Sequence, residues 1–428
     1  MTKHRIMVFP AGSEIGLEIY HSLKYSHHVE LFGASGKNDH ASFLYEADRY
    51  IEDPLLYVDR PDFVERLNGY LCAHAIEFIY PTHDTICSFL AAQQARLTAR
   101  VVTSSAKTNR IARHKSLTYE ALKGFDFCPR LFGRSDPSLQ FPRFLKPDDG
   151  QGGKRAYRAD TPDELAFLLS RHPDLLVMEY LPGDELSVDC FSDYCGQLLF
   201  IGPRTRERVQ MGISFRSTAV PLSDEVRRIA QVIHDSFQLD GAWFFQVKQD
   251  AQGRFKLLEF APRQSSTMGL YRHAGVNFAL LSLFNALRIP VTIRRNDYAL
   301  QLDRCLHNRF RSDLVYRRVY IDFDETIVDG ERVHGRVMDY LYQCRNNGIE
   351  IVLLTKHRQD LGETLRRCAI AESLFHRTVQ LANDEDKSDH IDPRDAIFID
   401  NYWRDRRAVS AKLGIPVFDV DAIECLMR

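Results

Sequence analysis

The sequence predicts a multidomain protein that combines α/β and α+β folds. Its 428 residues exceed the roughly 250 to 300 residues at which a single core stops growing, so at least two domains are expected. Short apolar strands alternate with amphipathic stretches near both ends of the chain, whereas the middle has longer β-rich segments with glycine- and arginine-rich turns. These changes of pattern place the predicted domains at residues 1–105, 106–305 and 315–428.

The composition excludes several classes of protein. Hydrophobic residues make up 44% and charged residues 27%, as in an ordinary globular protein. The formal net charge of -2 predicts no nucleic acid and no membrane surface as a partner. Apolar runs stay shorter than the roughly 20 residues that span a bilayer, and residues 1–4 lack a secretory signal, so we expect a cytoplasmic protein. The nine cysteines are scattered, which predicts free thiols.

The first domain is predicted to be Rossmann-like, with a doubly wound parallel sheet. Residues 5–9 form a short apolar strand, which a turn and a helical pattern through Leu23 follow. Further strands are predicted at residues 28–32, 76–80 and 101–103. His83 and Asp84 lie at a strand end, where we expect them to cap a loop rather than to take part in catalysis.

A lysine and a glycine-rich turn in the middle of the chain favour phosphate binding. Lys146 precedes the turn that contains Gly152 and Gly153. Glycine lets backbone N–H groups approach phosphates closely, and lysine adds a point charge. A tight loop without a ligand remains the alternative for this motif alone.

Two strands that follow are predicted to form a β-hairpin with a cation site. Residues 244–250 and 255–263 alternate in polarity around a turn at residues 250–253. Gln246 and Glu259 then sit on facing strands, where they can hold a cation that bridges nucleotide phosphates.

Three arginines lie in a predicted turn over residues 203–209. Arg204, Arg206 and Arg208 can bind a substrate carboxylate or phosphate through two parallel hydrogen bonds, or they can form a solvated basic turn. Arg204 and Arg206 are the preferred ligands because their spacing puts them on one face.

The C-terminal domain carries two carboxylates where an apolar strand ends. Asp322 and Asp324 are two residues apart, so alternation along a strand puts them on the same side. One carboxylate can attack phosphorus while the other transfers a proton, and both can help to hold Mg²⁺. A solvated pair of aspartates is the alternative. The polar residues that follow at later strand ends are Thr355, Lys387, Asp400 and Asp405.

In their order, these C-terminal residues resemble the four motifs of the haloacid dehalogenase (HAD) superfamily. The resemblance covers residues 315–428 and implies a small Rossmannoid phosphatase domain with Asp322 as the nucleophile and Asp324 as the general acid/base. It also implies phosphate binding by Thr355 and Lys387. The metal ligands that it implies are Asp322, Asp324, Asp400 and Asp405. About one helix fits between Asp322 and Thr355, which predicts a capless phosphatase.

Residues 1 to about 290 resemble an ATP-grasp ligase of the carbamoyl-phosphate-synthetase-like branch, with a pre-ATP-grasp domain and the segment 211–213 included. The resemblance implies Gln246 and Glu259 as magnesium ligands and Arg263 as a catalytic residue that faces an acyl phosphate. The ATP-binding residues that it implies are Lys115, Lys146, Gly152, Gly153, Glu179, Tyr180, Leu181 and Glu185. The chain departs from the family pattern at Ala261, where an asparagine usually binds a second magnesium ion.

Together, the two resemblances imply an ADP-forming carboxylate–amine ligase fused to a Mg²⁺-dependent phosphomonoesterase. The expected ligands are ATP, Mg²⁺, a small carboxylate, an amine and a phosphorylated metabolite. An active phosphatase with a non-catalytic nucleotide- or substrate-binding ATP-grasp module is one alternative, and a non-enzymatic binding or regulatory protein that keeps both folds is another. A homodimer is the ordinary expectation for such an enzyme.

Overall fold

The computed structural model describes residues 3–133, 140–150, 152–210 and 212–427. The chain divides into two compact units, Met1–Cys305, called unit 1, and Leu306–Arg428, called unit 2. None of the helices in the described part of the chain is both long enough and apolar enough to cross a membrane.

Unit 1 begins with a parallel sheet in the order β3-β2-β1-β4-β5. Its strands are β1 (His4–Phe9), β2 (Val29–Ser35), β3 (Tyr50–Glu52), β4 (Phe78–Pro81) and β5 (Arg100–Val101). The helices of this part are α1 (Glu14–Leu23), α2 (Phe63–Ala73) and α3 (Asp84–Ala92), followed by α4 (Ala106–Arg113) and α5 (Lys115–Ala121). Apolar side chains of α1 pack on one face of the sheet and those of α2 on the other, so the predicted doubly wound arrangement is confirmed.

The rest of unit 1 contains antiparallel sheets in the orders β6-β9-β7-β8, β11-β10-β14-β15 and β12-β13-β16. The strands before the long hairpin are β6 (Leu131–Phe132), β7 (Arg143–Pro147), β8 (Tyr157–Ala159), β9 (Leu175–Glu179), β10 (Glu185–Ser192), β11 (Leu198–Thr205), β12 (Glu207–Gln210) and β13 (Ile213–Thr218). The later strands and the helices are β14 (Gly241–Gln249), β15 (Phe255–Ala261), β16 (Gln301–Asp303), α6 (Pro162–Arg171), α7 (Asp224–Ser236), α8 (Gly269–His273) and α9 (Phe278–Ala286).

Local sequence explains where several of these elements begin and how they pack. Helix α6 begins after Thr161, whose hydroxyl accepts a 3.2 Å hydrogen bond from the backbone N–H of Glu164. Helix α7 buries Val226, Ile229, Ala230 and Ile233, at helical spacing, against the sheet that contains β10 and β14. This packing holds the hairpin of β14 and β15 in place against α7.

Unit 2 is built on a parallel sheet in the order β21-β20-β17-β22-β23. Its strands are β17 (Arg318–Ile321), β18 (Val328–Asp329), β19 (Arg332–Val333), β20 (Glu350–Thr355), β21 (Arg377–Gln380), β22 (Ala396–Ile399) and β23 (Val417–Phe418). Its helices are α10 (Gly335–Asn346), α11 (Leu361–Arg367) and α12 (Trp403–Leu413). Helices α10 and α11 pack on one face and α12 on the other, and a short β18–β19 hairpin precedes α10.

Candidate functional site

The predicted hairpin is present in unit 1 and brings the two predicted metal ligands side by side. Strands β14 and β15 pair antiparallel, with Gln246 directly opposite Glu259. The turn closes through a 3.0 Å hydrogen bond from the Gly253 N–H to the Asp250 carbonyl oxygen. The register shifts immediately after Gln246, which marks a local bulge beside this pair.

A cavity of about 370 Å³ gathers the residues for which the sequence predicts nucleotide binding. We call it the first cavity. The predicted residues that line it are Lys115, Lys146, Gly152, Gly153, Glu179, Tyr180, Leu181, Glu185, Gln246 and Glu259. Apolar side chains such as Phe144, Met178 and Leu181 form part of its wall, and a wall of this kind suits a flat aromatic ring.

Two of the four lysines that line the first cavity, Lys115 and Lys146, are held largely by neutral oxygen atoms. Lys146 donates from Nζ to the Tyr119 hydroxyl at 2.9 Å and to the Leu258 carbonyl oxygen at 3.1 Å. Burial, with the nearby charge of Lys115, lowers the pKa of Lys146 to about 7. Lys115 donates to the Gly150 carbonyl oxygen at 2.9 Å and lies 3.6 Å from Glu259 Oε2. An anionic ligand in this cavity would therefore favour the charged form of Lys146 and raise its pKa.

The glycine-rich turn depends on glycine at two positions. Gly152 and Gly153 have φ angles of 65° and 69°, in the left-handed region that side chains disfavour. A Cβ atom on Gly212 would lie 2.4 Å from the Gly152 Cα atom, so this turn packs closely against residue 212. Met211 and Gln151, which belong to the predicted motifs, lie outside the described residues.

Strand β9 ends at the wall of the first cavity. The Glu179 carboxylate accepts a 2.8 Å hydrogen bond from the Arg130 backbone N–H. Glu185, at the start of β10, lies 2.6 Å from Arg206 Nε and 3.8 Å from Lys248 Nζ. Glu185, a predicted ATP-binding residue, is therefore also an ion-pair partner, and a bound nucleotide would share it with these cations.

A second cavity of about 550 Å³ adjoins the first in unit 1. Gln246 and Glu259 line both cavities, together with Arg206 and the glycine-rich turn. The walls of the second cavity are rich in charged and hydroxyl side chains, which include Glu14, His83, Asp84, Arg204, Arg263, Ser265, Ser266 and Thr267. This arrangement can hold a polar molecule next to the nucleotide-binding residues.

The predicted turn over residues 203–209 is wrong, because β11 continues to Thr205 and β12 begins at Glu207. Arg204 is buried within β11 and forms two hydrogen bonds, of 2.7 and 3.1 Å, to the Asp189 carboxylate. Its guanidinium is thus occupied by a structural ion pair. Arg206 lies between the two strands and donates to the Gly212 carbonyl oxygen at 2.9 Å.

The expectation that His83 and Asp84 cap a loop is also wrong. His83 occupies the N-cap position of α3, but its side chain makes no capping hydrogen bond. The Asp84 carboxylate accepts two hydrogen bonds from Arg263, and the bond from Nη2 measures 2.8 Å. Two residues that are 179 positions apart thus form one ion pair. Local sequence patterns do not predict a contact of this kind.

Ala261 lies in an apolar environment. It is buried in a cluster that includes Phe244, Met268 and Tyr271. An asparagine there would have to place its amide among apolar side chains, so the departure from the family pattern is consistent with local packing. The pair of Gln246 and Glu259 still fits Mg²⁺, which commonly takes one or two protein ligands together with phosphate oxygens and water.

Unit 2 contains a cluster of three buried residues, Asp322, Lys387 and Asp400, with the half-buried Asp405, which we call the carboxylate–lysine cluster. Lys387 Nζ lies 2.7 Å from Asp322 Oδ1, 2.6 Å from Asp400 Oδ2 and 3.5 Å from Asp405 Oδ2. Parallel strands β17 and β22 bring the two nearest aspartates to the same edge of the sheet. These distances show that the four side chains lie close together, and their roles in phosphate and metal binding stay predictions.

The charges of this cluster influence one another. Burial, together with the neighbouring Asp322 carboxylate, raises the pKa of Asp400 to about 6. Burial also raises the pKa of Asp322, although Lys387 opposes this effect. Burial alone would lower the pKa of Lys387, but the two aspartates outweigh it and raise the pKa. Lys387 is therefore a firmly held cation that already has carboxylate partners.

Asp324 and Thr355 lie beside the cluster in a different arrangement from the one predicted. Strand β17 ends at Ile321, so strand alternation does not extend to Asp324. Both Asp324 carboxylate oxygens contact His357 Nδ1, at 2.9 and 3.0 Å. The buried Thr355 hydroxyl accepts a 3.2 Å hydrogen bond from the His357 backbone N–H. His357, which the sequence analysis missed, follows Thr355 by only two residues.

Thr326, four residues after Asp322, is another polar group beside the cluster. Its hydroxyl lies 3.1 Å from Asn401 Oδ1 and accepts a 3.0 Å hydrogen bond from the Asn401 backbone N–H. It thereby joins the segment after β17 to the segment after β22. Within the described ranges, no three His, Cys, Asp and Glu side chains form a group that could hold a metal ion. Metal binding in unit 2 therefore remains a prediction.

Comparisons with known proteins agree with the architecture of unit 1. A protein-family model described as "ATP-grasp in the biosynthetic pathway with Ter operon" matches residues 171–302. A search of curated proteins finds no match. Among solved structures, the biotin carboxylase domain of 2-oxoglutarate carboxylase from Hydrogenobacter thermophilus, in complex with MgADP, ADP and bicarbonate, is similar at 15% identity. Its TM-score is 0.57, and the alignment covers 69% of this chain and 72% of that chain.

Two further solved structures are similar. An L-amino acid ligase from Bacillus licheniformis has a TM-score of 0.53 and 18% identity, with 68% of this chain and 75% of that chain covered. A carboxyaminoimidazole ribonucleotide synthase from Aspergillus clavatus, complexed with ATP, has a TM-score of 0.55 and 15% identity, with 69% and 79% covered. At these identities the likeness concerns the fold, and the chain contains an ATP-grasp fold.

Proposed function

We propose that unit 1 is an ATP-dependent, ADP-forming carboxylate–amine ligase that works through an acyl phosphate. The observation that carries this proposal is the first cavity, where Lys115, Lys146, a glycine-rich turn and the pair of Gln246 and Glu259 meet beside a second polar cavity. Cations and backbone N–H groups of this kind bind phosphates and stabilise charge during phosphoryl transfer.

ATP with Mg²⁺ is the proposed ligand of the first cavity. Two of the similar structures described above contain MgADP or ATP, which supports the assignment. Lys115 and Lys146 contact phosphates, residues 179–181 meet the adenine ring, and Glu185 holds the ribose. Gln246 and Glu259 are the proposed ligands of Mg²⁺, which would neutralise phosphate charge when bound.

The second cavity is the proposed site of the carboxylate acceptor. A carboxylate oxygen attacks the γ-phosphorus of ATP, and ADP leaves with the electrons of the broken P–O bond. An amine then attacks the carbonyl carbon, inorganic phosphate leaves, and the proton released by the amine passes to a base or to water. Arg263 faces the acyl phosphate in this scheme. The similarity to a ligase of L-amino acids supports an acceptor of this class.

Unit 2 is the proposed Mg²⁺-dependent phosphomonoesterase, for a phosphorylated metabolite related to the ligase reaction. Asp322 attacks the phosphorus of the ester, and the alcohol leaves with a proton from Asp324. Water then hydrolyses the phosphorylated Asp322. Thr355 and Lys387 bind phosphate oxygens, and Asp322, Asp324, Asp400 and Asp405 are the proposed metal ligands. The distances within the carboxylate–lysine cluster support this scheme.

Ala261 favours a second candidate function. If the missing asparagine prevents catalysis in unit 1, its ATP-grasp fold serves as a nucleotide- or substrate-binding module for an active phosphatase. One neighbour is described as a dimer, which supports a homodimer in either case. MgADP binding without carboxylate-dependent ADP release would favour this second function.

The test of the ligase proposal is ADP release by the full chain with ATP, Mg²⁺ and a panel of carboxylate and amine pairs. We expect one pair to give ADP, phosphate and a product whose mass equals that of the two substrates minus water. The variant Asp322→Asn serves as a background that removes phosphatase activity. If no carboxylate and amine pair in the panel releases ADP faster than ATP and Mg²⁺ alone, the ligase proposal is wrong.

A further inference from the structure

The ion pair between Asp84 and Arg263 connects two parts of unit 1. Asp84 begins α3, beside the parallel sheet, whereas Arg263 follows β15 of the hairpin that carries Glu259. Arg263 donates from Nε and Nη2 to the two oxygens of one carboxylate. A fork of two parallel hydrogen bonds fixes the plane of the guanidinium more strictly than one contact does.

Other contacts complete the orientation of Arg263. Its Nη1 donates to the Gln264 carbonyl oxygen at 3.0 Å, and Cζ lies 5.2 Å from the centre of the Phe244 ring. A guanidinium has about five N–H donors, and three are used in these bonds. Arg263 lines the second cavity, so its remaining N–H donors are available to a ligand there. A carboxylate there can therefore meet a cation whose orientation is already set.

The charge balance of the pair is consistent with permanent ionisation. Burial works against the charged form of Asp84, but Arg263 outweighs it and lowers the pKa of this carboxyl group. Asp84 likewise outweighs the effect of burial on Arg263, whose pKa is raised. Both groups thus stay charged over the working pH range, and the contact persists without a bound acceptor.

We propose that Asp84 is a positioning residue that holds Arg263 against the acceptor in the second cavity. The proposal rests on the ligase function proposed above. Asp84 also lines the second cavity, but in this scheme it acts by orienting Arg263, which is the residue that contacts the acceptor. Formation of the acyl phosphate therefore depends on a side chain from the parallel-sheet part of unit 1, outside the strands that carry Gln246 and Glu259.

The test compares Asp84→Asn and Asp84→Glu in the full chain. Hydroxylamine traps an acyl phosphate as a hydroxamate, so hydroxamate yield reports the first half-reaction. We expect Asp84→Asn to lower kcat/KM for the carboxylate about 100-fold, because small misplacements of a catalytic group have effects of that size. MgADP affinity, measured by calorimetry, should stay within about twofold because Asp84 does not line the first cavity. Asp84→Glu keeps the charge and should recover part of the loss.

Two controls separate positioning from general stability. Asp53→Asn removes another carboxylate of the same part of unit 1, one that pairs with Arg66 at 3.1 Å and lines neither cavity. It should leave hydroxamate formation unchanged. In a double-mutant cycle, Asp84→Asn should add nothing to the loss caused by Arg263→Lys, because both changes remove the same oriented guanidinium. Additive losses would overturn the positioning role.

Labelling with phenylglyoxal tests the contact without any catalysis. We expect Arg263 to react slowly in the wild-type chain and faster in Asp84→Asn, with the modified peptide identified by its mass. If Asp84→Asn retains wild-type hydroxamate formation, or loses MgADP affinity to the same degree as activity, the positioning role is wrong. If the wild-type chain forms no hydroxamate with any carboxylate, the ligase proposal fails. If Arg263 then reacts with phenylglyoxal equally fast in the wild-type chain and in Asp84→Asn, the contact between Asp84 and Arg263 is wrong as well.

Discussion

The first cavity of unit 1 and the carboxylate–lysine cluster of unit 2 both collect charged groups at strand ends, but they balance the charges differently. In the first cavity, Lys146 donates to a hydroxyl and a carbonyl oxygen, and its pKa falls to about 7. In the cluster, Lys387 contacts aspartates and its pKa rises. An anion can therefore stabilise the charged form of Lys146 in the first cavity, whereas Lys387 in the cluster is already paired with carboxylates.

This difference has consequences for how each site would bind phosphate. In unit 1 a phosphate adds a charge partner to Lys146, whereas Lys115 and Lys248 already have carboxylate contacts, with Glu259 at 3.6 Å and Glu185 at 3.8 Å. In unit 2 a phosphate must share Lys387 with Asp322 and Asp400, and like charges repel unless a cation intervenes. We therefore expect phosphate binding in unit 2 to depend more steeply on Mg²⁺ than nucleotide binding in unit 1.

The largest effect is expected from Asp322→Asn. If the cluster is a catalytic site, loss of its nucleophile lowers Mg²⁺-dependent hydrolysis of p-nitrophenyl phosphate by at least about 10³-fold. ADP release by unit 1 should not change, and chelation with EDTA should reproduce the loss of hydrolysis in the wild-type chain. If this variant hydrolyses the ester as fast as the wild-type chain, the assignment of Asp322 as the nucleophile is wrong and the cluster is a structural ion pair.

The second prediction concerns the stability of the cluster. Lys387→Met leaves buried aspartates without their cation, which should lower the free energy of unfolding of unit 2 by about 3 to 5 kcal/mol. Hydrogen exchange of the β17 and β22 amides in the full chain measures this change. The control is Lys412→Met, since Lys412 pairs with Asp389 on the exposed surface and its loss should have a much smaller effect. Equal effects of the two variants would contradict internal neutralisation.

The third prediction tests the metal role of the hairpin pair in the first cavity. Glu259→Gln removes one negative charge beside the proposed phosphate site, and we expect carboxylate-dependent ADP release to fall about 100-fold. Titration with Mg²⁺ should show that a higher concentration is needed. Glu120→Gln, on the exposed face of α5, provides the matched control. An unchanged Mg²⁺ requirement would contradict the assignment of Glu259 as a ligand.

Ala261→Asn addresses the departure from the ATP-grasp pattern. Because residue 261 lies among apolar side chains, a buried amide there should cost about 1 to 3 kcal/mol of unfolding free energy. We expect no gain in ADP release, and urea denaturation provides the stability measurement. A variant that is both stable and faster would show that the missing asparagine limits the ligase reaction.

The sequence predicted the parts of these sites that depend on local pattern or on strand order. The hairpin of β14 and β15 follows from alternation around a turn, and the convergence of Asp322 with Asp400 follows from parallel strands that end at one edge. Arg204 could not be placed, because its burial depends on Asp189 of the neighbouring strand. The contact of Asp84 with Arg263 spans 179 positions and depends on the packing of two parts of unit 1.

The smallest expected effect is a proton uptake in the first cavity. With a pKa of about 7, roughly half of the Lys146 side chains are uncharged near neutral pH in the nucleotide-free protein. Bound phosphates favour the charged lysine and raise this pKa, so MgADP binding should take up about half a proton at that pH. Calorimetry in buffers of different ionisation enthalpy measures the uptake, and Lys146→Met should abolish it. Lys387 is charged before any ligand binds, so binding of inorganic phosphate to unit 2 should cause no proton uptake at that lysine. Equal proton uptake at Lys146 and Lys387 would contradict the difference between the two sites.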